Sequence, residues 1–428
     1  MSVAERWAEI RDGFQRPFWI ANTTELFERL AFYAPKAVLT LYLVESLKFS
    51  RTDAGKLTGI FGFVVWFLPV LGGTIADRFG FRRTLAAAYL ILTVGYFLLG
   101  SVMSGFLAPL RDAVPFYWFV LGVLLVPALG PGVVKPIVAG TTARASTESV
   151  RSLGYSIYYT IVNVGGMLGP LMAYQVRTTL GIEAVFKVSA LTTFVMFIFT
   201  LVLFKEPERV TKAATGSGQA TSMAQSLRNM VVVFANIRFM SFLIIFSGFY
   251  IVFWQQYVAL PLFLHDVNPG ANADLLLSVD PATVVALTFV VNLLTKSFAP
   301  FLMIVAGVLI SSVSWLILGL GGGSTTLVII TLIVLALGEL TLSPKYYDYV
   351  SRLAPSGQEA LFMGFSFMPV AVGDLVGSPL GGWLAQHYST ELHQPNRMWF
   401  VVTGVGLATV ALLLIYDRIV RLTVRSSP

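Results

Sequence analysis

The sequence predicts an all-α membrane protein of twelve transmembrane helices, arranged as two six-helix bundles with pseudo-twofold symmetry. Three observations predict it. Of 428 residues, 56% are apolar and 12% charged, which leaves too little polar surface for a soluble enzyme of this length. About twelve stretches are long and apolar enough to cross a bilayer, which takes about 20 residues each. One long polar stretch, KEPERVTKAATGSGQATSMAQSLRN from Lys205 to Asn229, divides them six and six and has the Gly, Ser, Thr and Ala content of a flexible linker.

The spans follow in order. The first, 18–43, is apolar apart from four charges. The second, 54–76, is rich in glycine and ends at a basic turn. The third, 84–103, and the fourth, 118–143, flank an outside loop holding Arg111, and the fourth carries the helix breakers of Gly130–Pro136. The fifth, 154–174, mixes tyrosine and glycine with apolar residues, whereas the sixth, 184–204, is almost wholly apolar. The seventh, 239–264, is aromatic. The eighth, 281–296, is short and ends at Lys296. The ninth, 299–320, and the tenth, 326–349, are separated by a glycine turn. The eleventh, 360–385, and the twelfth, 398–417, complete the set. The chain is therefore read as an N-terminal bundle over 1–204, a cytoplasmic linker over 205–238 and a C-terminal bundle over 239–428.

The opening residues lack an apolar core before a small-residue cleavage site, so the first helix is expected to stay. With both termini inside, most of the 29 lysines and arginines fall on the cytoplasmic face, among them Arg6, Arg11, Arg144, Arg151, Arg209, Lys212, Arg352 and Arg418. Only Lys48, Arg51, Lys56, Arg111, Arg177 and Arg397 fall outside, as the positive-inside rule requires for a bacterial inner or plasma membrane protein. The absence of cysteine and the presence of three histidines argue against disulfides, thiol chemistry and a metal site. The net charge of +7 is scattered between apolar runs and makes no nucleic-acid stripe. No phosphate loop or triad spacing supports an enzyme, and no cofactor is expected beyond a proton as coupling ion.

The turn after span two reads GGTIADRFGFRRT, with Gly73, Asp77, Arg78, Gly80, Arg82 and Arg83. The plainer reading is a positively charged inside turn. The spacing also resembles the GxxxDRxGxRR signature of the major facilitator superfamily, whose two bundles enclose a midplane site. That resemblance implies a transporter, with this loop governing conformational switching.

Glu25, Glu28, Arg29 and Lys36 in span one are spaced so that Glu25, Arg29 and Lys36 share one helical face, with Glu28 beside them. Each charge at membrane depth costs at least ~2.5–3.5 kcal/mol, so this face lines a cavity or pairs internally. The bland alternative is that the glutamates merely neutralise Arg29 and cap the helix. Lys135 favours the functional reading. It falls about eight residues, or about 12 Å, from the cytoplasmic end of span four, and Glu28 about 15 Å above the same face, so the two are expected to meet. The breakers around Lys135 in GPGVVKP are tolerated where other groups rescue the backbone or a cavity lies beside them.

Four segments then resemble one family. ELFERLAFYAPKAVLTLYL (Glu25–Leu43) is similar to the ExxERFxYYG signature of the proton-dependent oligopeptide transporters, GPGVVKP to their GxGxxKP, YYTIVNVGG (Tyr158–Gly166) to their FYxxINxG, and GELTLSP (Gly338–Pro344) to their GELxxSP. The resemblance covers most of the N-terminal half and spans seven, ten and eleven beyond it. It implies a proton symporter importing di- and tripeptides or similar zwitterions. Glu25, Glu28 and Arg29 would then form the proton-linked cluster with Lys135 as partner. Tyr33 and Asn163 would line the pocket, Glu339 would hold the substrate's amino group, and Lys36 and Lys135 its carboxylate.

Elementary chemistry leads to a similar expectation. A short peptide is a cation at one end and an anion at the other, so its pocket needs a fixed carboxylate opposite fixed amines, as Glu339 opposite Lys36 and Lys135 would supply. A glutamate whose lysine partner turns to a substrate carboxylate loses its counter-charge and takes up a proton, which couples the two. Tyr33, Trp66, Trp254 and Tyr257 would form side-chain pockets, although membrane aromatics also serve as packing.

The chain also departs from the family. Lys36 replaces an arginine and loses bidentate carboxylate binding. Ala34 replaces the motif glycine, and Trp66 a tyrosine. Gln255 stands where span seven is expected to carry a glutamate, so no ionic gate between span seven and Lys36 is expected. Asp374 in span eleven is a possible additional core ion. With it, Glu25, Glu28 and Glu339 make four anions against Arg29, Lys36 and Lys135, so one carboxylate holds a proton or awaits a cation. Lys345 is expected to pair with Asp348, and Lys187 to snorkel outward.

The expected function is thus proton-coupled import of short peptides or zwitterions by a monomer in the lipid bilayer. A proton-linked carrier of another small charged solute and a non-transporting sensor are the alternatives.

Overall fold

The computed structural model describes residues 12–206, 223–355 and 358–425. Over these the chain is helical almost throughout, with one isolated backbone bridge between Phe14 and Ser146. Each expected span coincides with helix. Span one is α1 (Arg16–Leu41), prolonged by a wider π-turn over Tyr42–Ser46. Span two is split into α2 (Arg51–Phe67) and α3 (Pro69–Phe79), and span four into α5 (Phe116–Ala128) and α6 (Pro131–Arg144). In both, the new helix starts at a proline, which has no N–H to leave unpaired there. Span three is α4 (Phe81–Leu99), span five α7 (Arg151–Leu180) and span six α8 (Ile182–Leu203).

After the linker, α9 (Met223–Phe234) precedes span seven, which is α10 (Ile237–Phe253) and α11 (Ala259–Val267) joined by a tight turn at Trp254–Gln256. Span eight is α12 (Val279–Thr295), and span nine is α13 (Pro300–Ser314) with α14 (Leu316–Gly321). Span ten is α15 (Thr325–Leu353). Span eleven is α16 (Glu359–Gly364) with α17 (Met368–Leu384), and span twelve is α18 (Met398–Arg425). The middle of the expected linker, 207–222, lies outside the described residues, as do Arg6, Arg11, Arg209 and Lys212. The linker's far end is helical as α9, where the composition turns from Gly, Ser and Thr to Met, Leu and Val.

Among the described residues, nine helices are long and apolar enough to cross a membrane, and they are spans three, four and six to twelve. Span one falls short because it carries Glu25, Glu28, Arg29 and Lys36, and span two is divided into pieces of 17 and 11 residues. Span five is diluted by tyrosines, Asn163 and glycines. Large apolar side chains such as Phe289, Val202 and Leu320 are exposed, as on helix faces that meet lipid.

By internal contacts the chain forms two units, Met1–Pro35 with Leu68–Ser226, and Lys36–Phe67 with Leu227–Pro428. In the first, α4 packs on α5 and α8, α3 on α6, and α7 on α6 and α8. Tyr89, Leu92 and Tyr96 of α4 meet Val134 and Ile137 of α6 in its core. In the second, α2 packs along α17, α13 along α15, and α10 against α17 and α18. Trp315 and Trp399 stack there with ring centroids 4.6 Å apart.

Candidate functional site

In the first unit, one turn of α1 brings Glu25, Glu28 and Arg29 together, all three fully buried. Arg29 Nε lies 3.3 Å from Glu25 Oε1 and donates to Glu28 Oε2 at 2.5 Å, and its Nη2 also pairs with Glu28. The guanidinium carbon stands 5.3 Å from the Phe32 ring centroid. One guanidinium therefore serves two carboxylates. Both Glu25 oxygens, Glu28 Oε1 and Arg29 Nη1 have no hydrogen-bond partner. Lys135 on α6 lies within electrostatic reach of Glu25, Glu28 and Arg29. Helix α7 approaches this cluster closely, because a Cβ on Gly165 would press on Arg29 Cβ and the Leu26 carbonyl.

Tyr33 and Tyr158 interact electrostatically with Arg29. Asn163 is half-buried, and its Nδ2 donates to the Tyr159 carbonyl at 2.9 Å. Tyr89 and Tyr96 of α4 also feel the Glu28 charge. No motif in the sequence marks either of them.

The basic turn lies in the same unit. Gly80 joins α3 to α4 at φ 85°, a conformation that a side chain would strain. The Glu206 carboxylate accepts from the Arg82 backbone N–H at 2.9 Å, and the Arg82 guanidinium donates to the Leu201 carbonyl, tying the turn to the end of span six. Arg78 and Arg83 are exposed. Gly73 falls on α3, and the Asp77 side chain lies outside the described residues.

In the second unit, Lys36 is buried and its Nζ donates to Asp374 Oδ2 at 2.9 Å. Asp374 Oδ1 accepts from Ser378 at 2.5 Å. The Lys36 ammonium also lies 4.6 Å from the Trp254 ring, a cation–π distance. A Cβ on Gly62 would overlap the Asp374 carboxylate, so α2 leaves the space that the pair occupies. The expectation of no ionic gate for the span-one cation through span seven is thereby completed differently, because the counter-charge comes from span eleven. Gln255 instead donates through Nε2 to the carbonyls of Ile251 at 2.7 Å and Gly377 at 2.9 Å. Trp66 lies 5.9 Å from Trp254 and 6.3 Å from Phe367, and Trp254 lies 5.6 Å from Tyr257, which makes an aromatic wall beside Lys36.

Glu339 on α15 is half-buried and interacts electrostatically with Asp280 at the start of α12. Asp280 lies one residue before the expected start of span eight at 281. The signal was present, since LLLSVDPATVVALTFVV is apolar on both sides of that carboxylate. Two other pairings differ from expectation. Lys345 donates to the carbonyls of Lys296 and Phe298, and Asp348 pairs with Arg352 at 2.9 Å, one helical turn on. Arg51, expected on the outside face, grips Asp266 with both terminal nitrogens, Nη2 to Oδ1 at 2.6 Å.

A sequence model of the Major Facilitator Superfamily matches residues 24–270. Multidrug resistance protein MdtH of Escherichia coli O157:H7 is 23% identical over 390 residues, covering 89% of each chain, and MdtH of Shigella boydii serotype 18 matches equally. Among solved structures, a POT family transporter in complex with a thioalcohol-conjugated peptide superposes with a TM-score of 0.75 at 17% identity, over 96% of this chain and 97% of that one. Another, in complex with 5-aminolevulinic acid, gives 0.73 at 18% identity, over 94% and 95%.

Proposed function

The chain belongs to the Major Facilitator Superfamily, an integral membrane transporter rather than an enzyme, and from that premise we propose that it is a proton-coupled symporter importing di- and tripeptides or peptide-like zwitterions by alternating access. The observation that carries this reading is the buried cluster of Glu25, Glu28 and Arg29 with Lys135 in electrostatic reach. Two carboxylates share one guanidinium there, and a second cation stands by. When Lys135 turns to a substrate carboxylate, the glutamates lose a counter-charge, and a proton replaces it. Proton and substrate are thereby bound together, which is what symport requires. Glu339 takes the substrate's ammonium, and Lys36, when released from Asp374, offers a second anchor for its carboxylate. Tyr33, Trp66 and Asn163 line the path of the side chains.

The topology belongs to the same proposal. It comprises two six-span halves, 1–204 and 239–428, joined by the cytoplasmic linker 205–238, both termini inside a bacterial inner membrane, and a monomer as the working unit. The distribution of lysine and arginine supports this orientation.

A second reading is proton-driven export of drug-like solutes. It is favoured by the multidrug resistance name carried by relatives that match 89% of this chain. Uptake of labelled dialanine and trialanine into proteoliposomes, with and without an inward proton gradient, tests the first reading. Gradient-driven accumulation that other short peptides block supports it. No accumulation by folded protein rejects it and leaves another solute as cargo.

A further inference from the structure

Asp280 and Gln256 are buried to 4% and 0% exposure. Gln256 Nε2 donates to Asp280 Oδ2 across a long 3.4 Å, while Asp280 Oδ1 and Gln256 Oε1 both have no hydrogen-bond partner. Both orphan atoms are acceptors if the carboxyl is ionised, and a buried ionised carboxylate with one weak bond is costly. Among the described residues, none of the charged groups that act on Asp280 is a cation. From α15 comes the carboxylate of Glu339, with Tyr347 beside it, and the turn after α10 contributes only the amide of Gln256. A single proton on Oδ1 changes the balance. Oδ1 becomes the donor that Gln256 Oε1 lacks, and acid and amide then pair through both ends, as carboxylic acids and primary amides do.

We propose that Asp280 is a resident proton site of this transporter, held by Gln256 and separate from the Glu25–Glu28–Arg29 cluster. Its burial leaves room for a proton rather than for a solute. Its partner in charge is Glu339. With Asp280 neutral, Glu339 is the only carboxylate of the pair free to hold charge for a cationic ligand. When the Asp280 proton leaves, two anions face each other and repel. The proton site stands without the peptide reading, while its link to transport, through Glu339, rests on it.

Infrared difference spectroscopy of the purified protein in lipid, without substrate, tests this. The wild type is expected to show the carbonyl stretch of a protonated buried carboxyl at neutral pH. That band is expected to persist in Glu28→Gln and vanish in Asp280→Asn, which is isosteric with the neutral acid and should keep the wild-type melting temperature. Gln256→Ala should move the band by removing its amide partner, and this variant decides the matter if Asp280→Asn fails to fold. A band unchanged in both Asp280→Asn and Gln256→Ala would overturn the proposal. Because no peptide is present, that result is independent of whether dialanine is carried.

Discussion

Lys36 and Asp374, 338 residues apart in the chain, meet as a buried ion pair at 2.9 Å, with Ser378 on the carboxylate and the Trp254 ring under the ammonium. Each charge is costly alone and tolerable with the other. Asp374→Asn leaves the lysine buried without a counter-charge, which costs about 3–5 kcal/mol. The expected result is a clear drop in melting temperature, followed by intrinsic fluorescence, and recovery of most of it in the double variant Lys36→Met with Asp374→Asn. A double variant no better than the single would show that the pair does not stabilise as described.

Gly62 makes room for that carboxylate. Gly62→Ala should overpack the contact and cost about 1–3 kcal/mol, whereas Gly404→Ala, which meets no atom within 4 Å, should be neutral. Thermal melts of the two variants side by side make the comparison. Equal melting temperatures would contradict the close approach of α2 and α17.

Lys135→Ala should abolish proton-driven accumulation while leaving some exchange of labelled for unlabelled substrate, because the remaining anchors, Glu339 and Lys36, still bind where coupling is lost. Counterflow and gradient-driven uptake measured on the same vesicles separate the two. Unchanged accumulation would remove Lys135 from coupling.

Gln255→Glu replaces an amide that donates to two carbonyls with a group that donates to neither unless protonated. The expected cost is about 1–3 kcal/mol for the unsatisfied carbonyls, together with a shifted pH profile of uptake. A profile that overlays the wild type would exclude span seven from proton handling.

Glu339→Gln should weaken binding of peptides with a free amino terminus far more than that of acetylated ones, measured by competition. Equal loss for both would end its role as amine acceptor.

The spans were legible because bilayer thickness imposes a length that apolar composition exposes. Spans one and five are marked less strongly because Glu25, Glu28, Arg29 and Lys36 charge the first and tyrosines, glycines and Asn163 dilute the fifth, whereas span two is divided before Pro69. Helix rise places Glu28 and Lys135 at similar depth, and the electrostatic interaction between them agrees with that. The Lys36–Asp374 pair was not legible, because no local spacing links spans one and eleven, and Asp374 stood out only as a surplus anion. Asp280 is not marked by span composition, because it stands at the boundary of span eight, one residue before 281. The i, i+3 spacing predicts a Lys345–Asp348 pair, yet Arg352 at i+4 from Asp348 offers a guanidinium fork that matches the carboxylate, and Lys345 turns to backbone carbonyls instead.

The measurement that tests proton-coupled import most directly is the lumenal pH of proteoliposomes holding a pH-sensitive dye, with no imposed gradient, when dialanine is added outside. Symport predicts acidification of the lumen as protons enter with the peptide, absent in Glu28→Gln. Alkalinisation would mean that protons leave as the solute enters, which is the signature of an exporter, and no change would mean that dialanine and protons are not carried together.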